Sequence, residues 1–253
     1  MGNELHKPTL RVLDIIELVS KTQSGYKLSE IAKQIGVPVS TLYPIVHTMK
    51  DKKYLSYDEK SQVYSMGLRV FEMGTNFVNS SNSFEGVRKA LHEIVMQCRE
   101  TCHFGILDEG DVLYLAKVDS EETIRMHSSI GKRMPAYGTA IGKALLCDYS
   151  LEQLTQLYPD GCRKLTKNTI TDLNILYNQL VTIRQTGYAY ENEESNEMIT
   201  CIASPIYKNE KVAAALSVAI PIFRFSEEKK VLVEKLLAEN VRYLETLMPF
   251  LNI

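Results

Sequence analysis

Apolar residues recur at helical spacing in three separate runs over the first fifty positions. Leu10, Leu13, Ile16 and Val19 fall on one side of a helix that Thr9 is placed to cap and that ends near Ser20. After a turn at Ser24-Gly25, Leu28, Ile31, Ala32 and Ile35 form a second stripe. Leu42, Ile45, Val46 and Met49 form a third, at i, i+3, i+4, i+7. Gly36 lies between the last two, and its backbone freedom suits a sharp turn. Tyr54 to Ser65 then alternates and turns at Asp58-Glu59-Lys60-Ser61, the pattern of a β-hairpin. Helix, glycine turn, helix and hairpin in this order predict a winged helix-turn-helix. Opposite its apolar stripe the third helix carries Ser40, Tyr43, Pro44 and His47, groups suited to base edges in a major groove. Periodicity alone demands only a core; the order of elements points to DNA.

The pattern continues through a second region. Gly67 to Val78 reads as a helix whose Leu68, Phe71 and Phe77 make it too apolar to lie alone in water. We expect it to connect two domains and to bury its apolar side on another subunit, the alternative being its own wing. Asn79 to Ser83 is a polar break. From Phe84 to Glu100, Val87, Leu91, Ile94, Val95 and Cys98 trace one helical stripe. Strands are predicted at Cys102–Leu107 and Val112–Val118 around a turn at Asp108–Asp111, with another over Thr123–Ser129. A short helix should start near Thr139. Ser150 and Gln153 form a capping box for the next, and another runs from Asp172 to Gln185, stopped by Gly187. Strands follow at 188–194, 198–207 and 212–220. Ser226 then caps a final helix with Val231, Leu236, Val241, Leu244 and Leu247 inward. One antiparallel sheet with helices on one side makes this region α+β. The boundaries are a DNA-binding head over 1–65, a linker over 66–83 and a second domain over 84–253.

Composition adds bounds. With 253 residues, 45% of them hydrophobic, the chain has material for two cores. The net charge of −2 conceals +2 on residues 1–65 and −4 on the rest, the right sign for a head that meets phosphates. No run of about 18 apolar residues occurs, so no membrane span is expected. The N-terminus has neither the apolar region of a secretion signal nor a myristoylation pattern. Five cysteines without a regular frame suggest reduced thiols and a cytoplasmic protein.

Four stretches resemble the IclR (isocitrate-lyase-regulator) family: STLYPIVHTM with the following YLSYDEKSQVYSMG; MPAYGTAIGKALL; IRQTGYAYENEE; and CIASPIYKNEKVAAALSVAIPIFR. The resemblance spans nearly the whole chain. It implies a winged helix-turn-helix joined to a GAF/PAS-like domain, in a transcriptional repressor controlled by a small organic or sugar-derived acid. Its implied partners are double-stranded operator DNA, a carboxylate-bearing effector and a second copy of the chain, with dimers pairing further into tetramers in many members. Neither cofactor, metal nor catalytic residue is implied. By similarity Ala140 and Ile141 would donate backbone N–H bonds to the effector carboxylate, at the start of a helix that offers such donors without Lys or Arg. Met126, Met134 and Ile199 would form an apolar wall, and Glu191, Cys201 and Ser217 would add polar contacts. Glu191 stands where Asp is usual, Ala219 where some members carry a second Ser, and Ile141 where a smaller residue is common. Other chemistries compete: Cys201 with His103 or His127 as thiol and base, Cys98, Cys102 and His103 around a metal, or a redox-sensing thiol.

Pro44 falls where family members commonly carry Arg. Either Ser40 caps the third helix, placing Pro44 fourth, or the helix starts near Pro38 and is locally distorted; the unbroken Leu42–Met49 stripe suits the second. Val39 to Thr48 contains no Lys or Arg, so the bidentate Arg–guanine contact is missing. Base reading then falls to Ser40, Thr41, Tyr43 and His47, with Pro44 against thymine methyls. Lys50, Lys52, Lys53 and Lys60 are left to hold phosphates. An A·T-rich operator core is expected.

Overall fold

The computed structural model describes residues 5–79, 82–126 and 128–251, and the chain divides into two compact units near residue 80. In the first unit, α1 (Lys7–Ser20), α2 (Leu28–Ile35) and α3 (Val39–Asp51) enclose a core of Ile15, Val19, Ile31, Leu42, Val46, Met49 and Leu55. Helix α1 starts earlier than expected. Pro8 sits in its first turn, where a missing N–H costs nothing, His6 takes the N-cap position, and Thr9 Oγ1 bonds His6 Nδ1 at 2.9 Å instead of capping. Leu13, expected inside, is 49% exposed. A strict three-residue repeat drifts around a helix of 3.6 residues per turn. The true stripe is Val12, Ile15, Ile16 and Val19, at i, i+3, i+4, i+7.

Gly36 closes α2 in the left-handed region at φ 71°. Helix α3 begins directly after Pro38 and runs on past Pro44. The hairpin pairs β1 (Leu55–Asp58) with β2 (Val63–Met66), from Leu55↔Met66 to Asp58↔Val63. Tyr26 bridges Tyr64 through two backbone hydrogen bonds of 2.9 and 2.8 Å, tying the loop before α2 to the wing. Helix α4 (Leu68–Asn79) follows, with Leu68, Phe71 and Met73 exposed; the Phe77 side chain lies outside the described residues. The expected polar break is shorter than read, because α5 already starts at Asn82; residues 80 and 81 lie outside the described set.

The second unit is built on α5 (Asn82–Cys98) and a six-stranded antiparallel sheet. Its strands are β3 (Thr101–Asp108), β4 (Asp111–Val118), β5 (Arg133–Pro135), β6 (Ala189–Asn192), β7 (Ile199–Lys208) and β8 (Lys211–Pro221), in the order β5-β4-β3-β8-β7-β6. Both tight hairpins use two central residues of positive φ, Glu109-Gly110 and Asn209-Glu210, which matches the twist of paired strands. Between strands lie α6 (Ala140–Leu145), α7 (Leu151–Leu157) and α8 (Leu173–Thr186), and α9 (Glu227–Leu247) closes the unit.

Helices cover both faces of the sheet, not one. Cys201, Ala203, Ala215 and Ala219 pack with Ile141, Leu154, Leu176, Leu180 and Ile183 of α6–α8. The alternate residues Ile202, Leu216, Val218 and Ile220 are equally buried on the other side, where α5 and α9 pack on the strands. A sheet buried twice reads as a continuous apolar run, which hides its second layer from period-2 reasoning. The strand expected over Thr123–Ser129 is absent among the described residues, which exclude His127. Side chains take its carbonyls instead: Arg224 Nη2 donates to Ile124 O at 2.9 Å and Lys117 Nζ to Ser128 O at 2.6 Å. The strand that follows β4 in the chain is instead β5, which pairs with β4 and forms this edge of the sheet. In α9, Val231 is exposed and Val233, Leu236, Leu237, Val241 and Leu244 are buried.

Candidate DNA-reading face and effector site

With Leu42, Val46 and Met49 buried, the geometry of α3 turns Ser40, Thr41, Tyr43, Pro44 and His47 outward, and all five are exposed. Thr48 Oγ1 donates to Pro44 O at 2.7 Å, so this side chain is spent on its own helix. The Tyr43 and His47 rings lie 5.7 Å apart, and His47 Nδ1 is 3.2 Å from the Asp51 carboxylate one turn on. Lys50, Lys52 and Lys53 at the end of α3 are exposed, and the Lys50 ammonium lies 5.9 Å from the centre of the Tyr57 ring. At the wing tip Asp58 Oδ1 accepts from the N–H groups of Lys60 and Ser61 at 2.8 and 3.0 Å. The Ser61 and Lys60 bonds hold the Asp58 carboxyl below its ordinary range, and the turn leaves Lys60 exposed.

In the second unit α6 lies over the sheet and Ile141 reaches its face. Thr139 caps this short helix: its Oγ1 accepts from Gly142 N–H at 3.1 Å and its carbonyl from Lys143 N–H at 2.9 Å. The N–H groups of Ala140 and Ile141 are then the first-turn donors that a helix leaves without an internal acceptor. Only glycine fits at 142, since a Cβ there would stand 2.1 Å from the carbonyl oxygen of Ala136. Met126, Ala140, Ile141 and Cys201 share one apolar cluster, and Met134 and Ile199 pack against it half-buried. Glu191 pairs with Cys201 across the β6–β7 ladder, Cys201 with Ala219, and Ala219 with Thr101. The neighbouring row is Ala203, Ser217, His103 and Lys117. Partners across a ladder share a face, so Glu191, Cys201 and Ser217 all face α6.

The same face holds polar groups that sequence reasoning gave other roles or passed over. His103 Nε2 bonds Ser128 Oγ at 2.7 Å, and its ring lies 5.0 Å from that of Tyr114. Burial, with the Lys117 charge, lowers the His103 pKa to about 3, so the imidazole is neutral. Glu191 Oε1 accepts from the N–H groups of Glu194 and Ser195 at 2.5 and 2.9 Å, and the Cys201 thiol is a further, weak side-chain donor to this buried carboxyl. Burial pushes the Glu191 carboxyl above its ordinary range. Lys143, fully buried on α6, donates to both carboxylate oxygens of Glu194 at 2.6 and 2.7 Å. Lys143 lies inside the GKALL motif, and a charge in an otherwise apolar helix was the available signal for it.

Among the described residues, which exclude His127, the rival chemistries do not find their geometry. Burial and the Glu191 charge raise the Cys201 thiol well above its ordinary pKa, the opposite of an activated nucleophile. Cys102 and His103 are adjacent on β3 and so face opposite sides of the sheet, which prevents them from sharing an ion. Burial likewise raises Cys98 and Cys102, and lifts Cys147 and Cys162 to about 11.

Known proteins place this architecture. Residues 8–59 match the IclR helix-turn-helix domain and residues 75–243 the bacterial transcriptional regulator IclR C-terminal domain. The chain is 33% identical to the HTH-type transcriptional regulator KdgR of Escherichia coli over 87% of its own length and 84% of KdgR; other relatives are named as repressors. An IclR transcriptional regulator from Alicyclobacillus acidocaldarius has the same fold, with a TM-score of 0.86 at 22% identity over 96% of this chain and 99% of that one. So does an IclR homologue from Microbacterium hydrocarbonoxydans solved with 4-hydroxybenzoate, at 0.82 and 22% over 96% and 99%. The families and relatives matched are regulators of transcription and not enzymes, and no described helix is long and apolar enough to cross a membrane. The chain belongs to the IclR family of DNA-binding transcriptional regulators.

Proposed function

We propose that the chain is a cytoplasmic repressor that binds paired operator half-sites as a homodimer and is switched by a small carboxylate-bearing effector in its second unit. The exposed row Ser40, Thr41, Tyr43, Pro44 and His47, opposite the buried Leu42, Val46 and Met49, carries the DNA-binding part. Lys50, Lys52, Lys53 and Lys60 take the phosphates and make affinity fall with salt. Helix α4 supplies the dimer contact. Leu68, Phe71 and Met73 are 64, 70 and 53% exposed, an apolar surface on one element that a second copy buries. Such pairing sets the spacing of two recognition helices on one operator.

The effector reading rests on the shared face of Met126, Met134, Ala140, Ile141, Glu191, Ile199, Cys201 and Ser217, where an apolar wall meets a few buried polar groups. The relative solved with 4-hydroxybenzoate holds a carboxylic acid, which agrees with an acid as ligand here. A screen of small organic acids tests it: an effector at about 100 times its dissociation constant should add roughly 2.7 kcal/mol of stability and release bound DNA. Ile141→Asp should abolish both effects, because it sets a negative charge beside the donors meant for an anion. A normal response in that variant places the effector elsewhere.

A further inference from the structure

Helix α3 carries a proline inside it, and the consequence falls on its exposed face. Its hydrogen-bond ladder opens with Leu42 N–H donating to Pro38 O at 3.1 Å. Two rungs on, residue 44 should donate to the carbonyl of Ser40. Proline has no N–H, so that rung is missing, and the ring crowds the same carbonyl. One turn later the Thr48 hydroxyl donates to Pro44 O at 2.7 Å, a back-bond that also bends helices. Both features open the helix at one turn, which tips the Ser40 carbonyl outward. Ser40 is itself exposed. At about 100° per residue it lies within the arc spanned by Tyr43, Pro44 and His47, on the face turned away from the core.

Chemistry decides what such an oxygen meets in a major groove. A carbonyl only accepts, and the base donors there are adenine N6 and cytosine N4; guanine turns two acceptors towards it. Beside the carbonyl stands the Pro44 ring, an apolar surface. An A·T pair shows an amino group and a methyl group on one major-groove edge, whereas a G·C pair shows the amino group without the methyl. Acceptor and apolar ring together therefore match A·T. Recognition helices put their N-terminal residues on base edges, and Ser40 is the second residue of α3. We propose that the Ser40 carbonyl oxygen reads sequence directly, accepting from the N6 amino group of an adenine in each half-site while the Pro44 ring covers the methyl of the paired thymine. Main chain then does what an Asn or Gln side chain does in other recognition helices. The proposal rests on the DNA-reading face proposed above and adds to it the atom and the base.

The test uses the full chain and the half-sites that it selects from random DNA. Each adenine is replaced in turn by 2-aminopurine, which still pairs with thymine but carries its amino group into the minor groove. Wild-type affinity should fall about three- to tenfold at one position per half-site, the range of one lost hydrogen bond. Pro44→Ala supplies the missing N–H, so residue 44 takes the Ser40 carbonyl back into the helix. It should erase the penalty at that position without lowering the melting temperature, which separates it from simple loosening of the fold. Ser40→Ala removes the hydroxyl but keeps the carbonyl, and should retain the penalty. Uracil in place of the paired thymine should weaken the wild type; no effect there overturns the methyl contact. A penalty that survives Pro44→Ala, or that vanishes in Ser40→Ala, assigns the reading to another group and overturns the inference. So does a half-site in which no adenine is sensitive. The DNA-face reading fails separately, and the inference with it, if no site is enriched or if Tyr43→Ala and His47→Ala leave every base preference unchanged.

Discussion

The Lys143 ammonium reaches both carboxylate oxygens of Glu194, at 2.6 and 2.7 Å, with Lys143 wholly and Glu194 almost wholly out of solvent. The pair joins α6 to the turn after β6. That turn is the one whose Glu194 and Ser195 N–H groups hold Glu191. Its far side is pinned too, since Thr169 Oγ1 donates to Glu194 O at 2.7 Å and Thr166 Oγ1 to Glu193 O at 2.5 Å. Lys143 therefore sets where Glu191 stands relative to Ala140 and Ile141.

Removing one partner of a buried pair leaves a buried charge, and costs about 3–5 kcal/mol. Lys143→Met should lower the stability of the second unit by that order in urea unfolding. Lys143→Met with Glu194→Met should recover most of the loss, because no charge then remains unpaired. A double variant no better than the single one would show that the pair is not the source of the cost.

Gly142→Ala should be disproportionately damaging for one methyl group. The new Cβ meets the Ala136 carbonyl oxygen at 2.1 Å, and backbone cannot swing aside as a side chain does. Forced overpacking costs about 1–3 kcal/mol, and here it lifts the first turn of α6 off the sheet. Thermal unfolding should show the loss, and effector response should vanish while unliganded DNA binding persists.

Acid sensitivity has a buried source. Burial first, and the Lys117 charge second, hold the His103 pKa near 3, with Asp119 opposing them. The unfolded chain binds a proton near the ordinary value of about 6.5, so the unfolded state carries more protons between these values. The contribution of His103 is complete above about 6.5 and is lost as pH falls towards 3, by at most about 1.4 kcal/mol per pH unit. His103→Gln should flatten the melting temperature across that range. An unchanged acid limb would assign the effect to other groups.

Much of this was legible in the sequence where a helix had one buried side. The α5 stripe of Val87, Leu91, Ile94, Val95 and Cys98 is buried throughout, as its spacing required. Caps were legible as well: Ser150 with Gln153, Asp172, Gly187 and Ser226 all stand where local hydrogen bonding placed them. What failed depended on distant partners. The stretch around Ile124 looks like a strand, yet Arg224 and Lys117 claim its carbonyls from far along the chain. The second helical layer was hidden because β7 and β8 are apolar on both faces. Of the effector site, the α6 turn was readable from its Gly-Thr-Ala-Ile-Gly run. The Lys143–Glu194 pair arises from packing of α6 against the turn after β6 and leaves no local pattern.

The exposed face of α4 predicts the oligomer. Phe71→Asp alters a residue 70% exposed, so the fold of the unit should change by less than about 0.5 kcal/mol. The dimer should nevertheless weaken, and sedimentation at micromolar concentration should show a monomer with reduced operator affinity. An unchanged dimer would place the contact on another element.

Salt dependence separates phosphate contacts from base contacts. Lys60→Ala at the wing tip should weaken binding equally on all sequences and reduce the slope of log affinity against log salt by about 1. Tyr43→Ala should leave the slope alone and relax preference at individual bases. A variant of Lys60 that changes sequence preference would put the wing in a reading role.

Selection of binding sites from random DNA by the full chain reports what α3 reads without any assumption about target genes. With Ser40, Thr41, Tyr43, Pro44 and His47 outward and no Lys or Arg from Val39 to Thr48, the expected result is two related half-sites with an A·T-rich core under each recognition helix. Failure to enrich any sequence, or half-sites specified by G·C pairs at positions that a Tyr43→Ala or His47→Ala variant leaves unchanged, would contradict it.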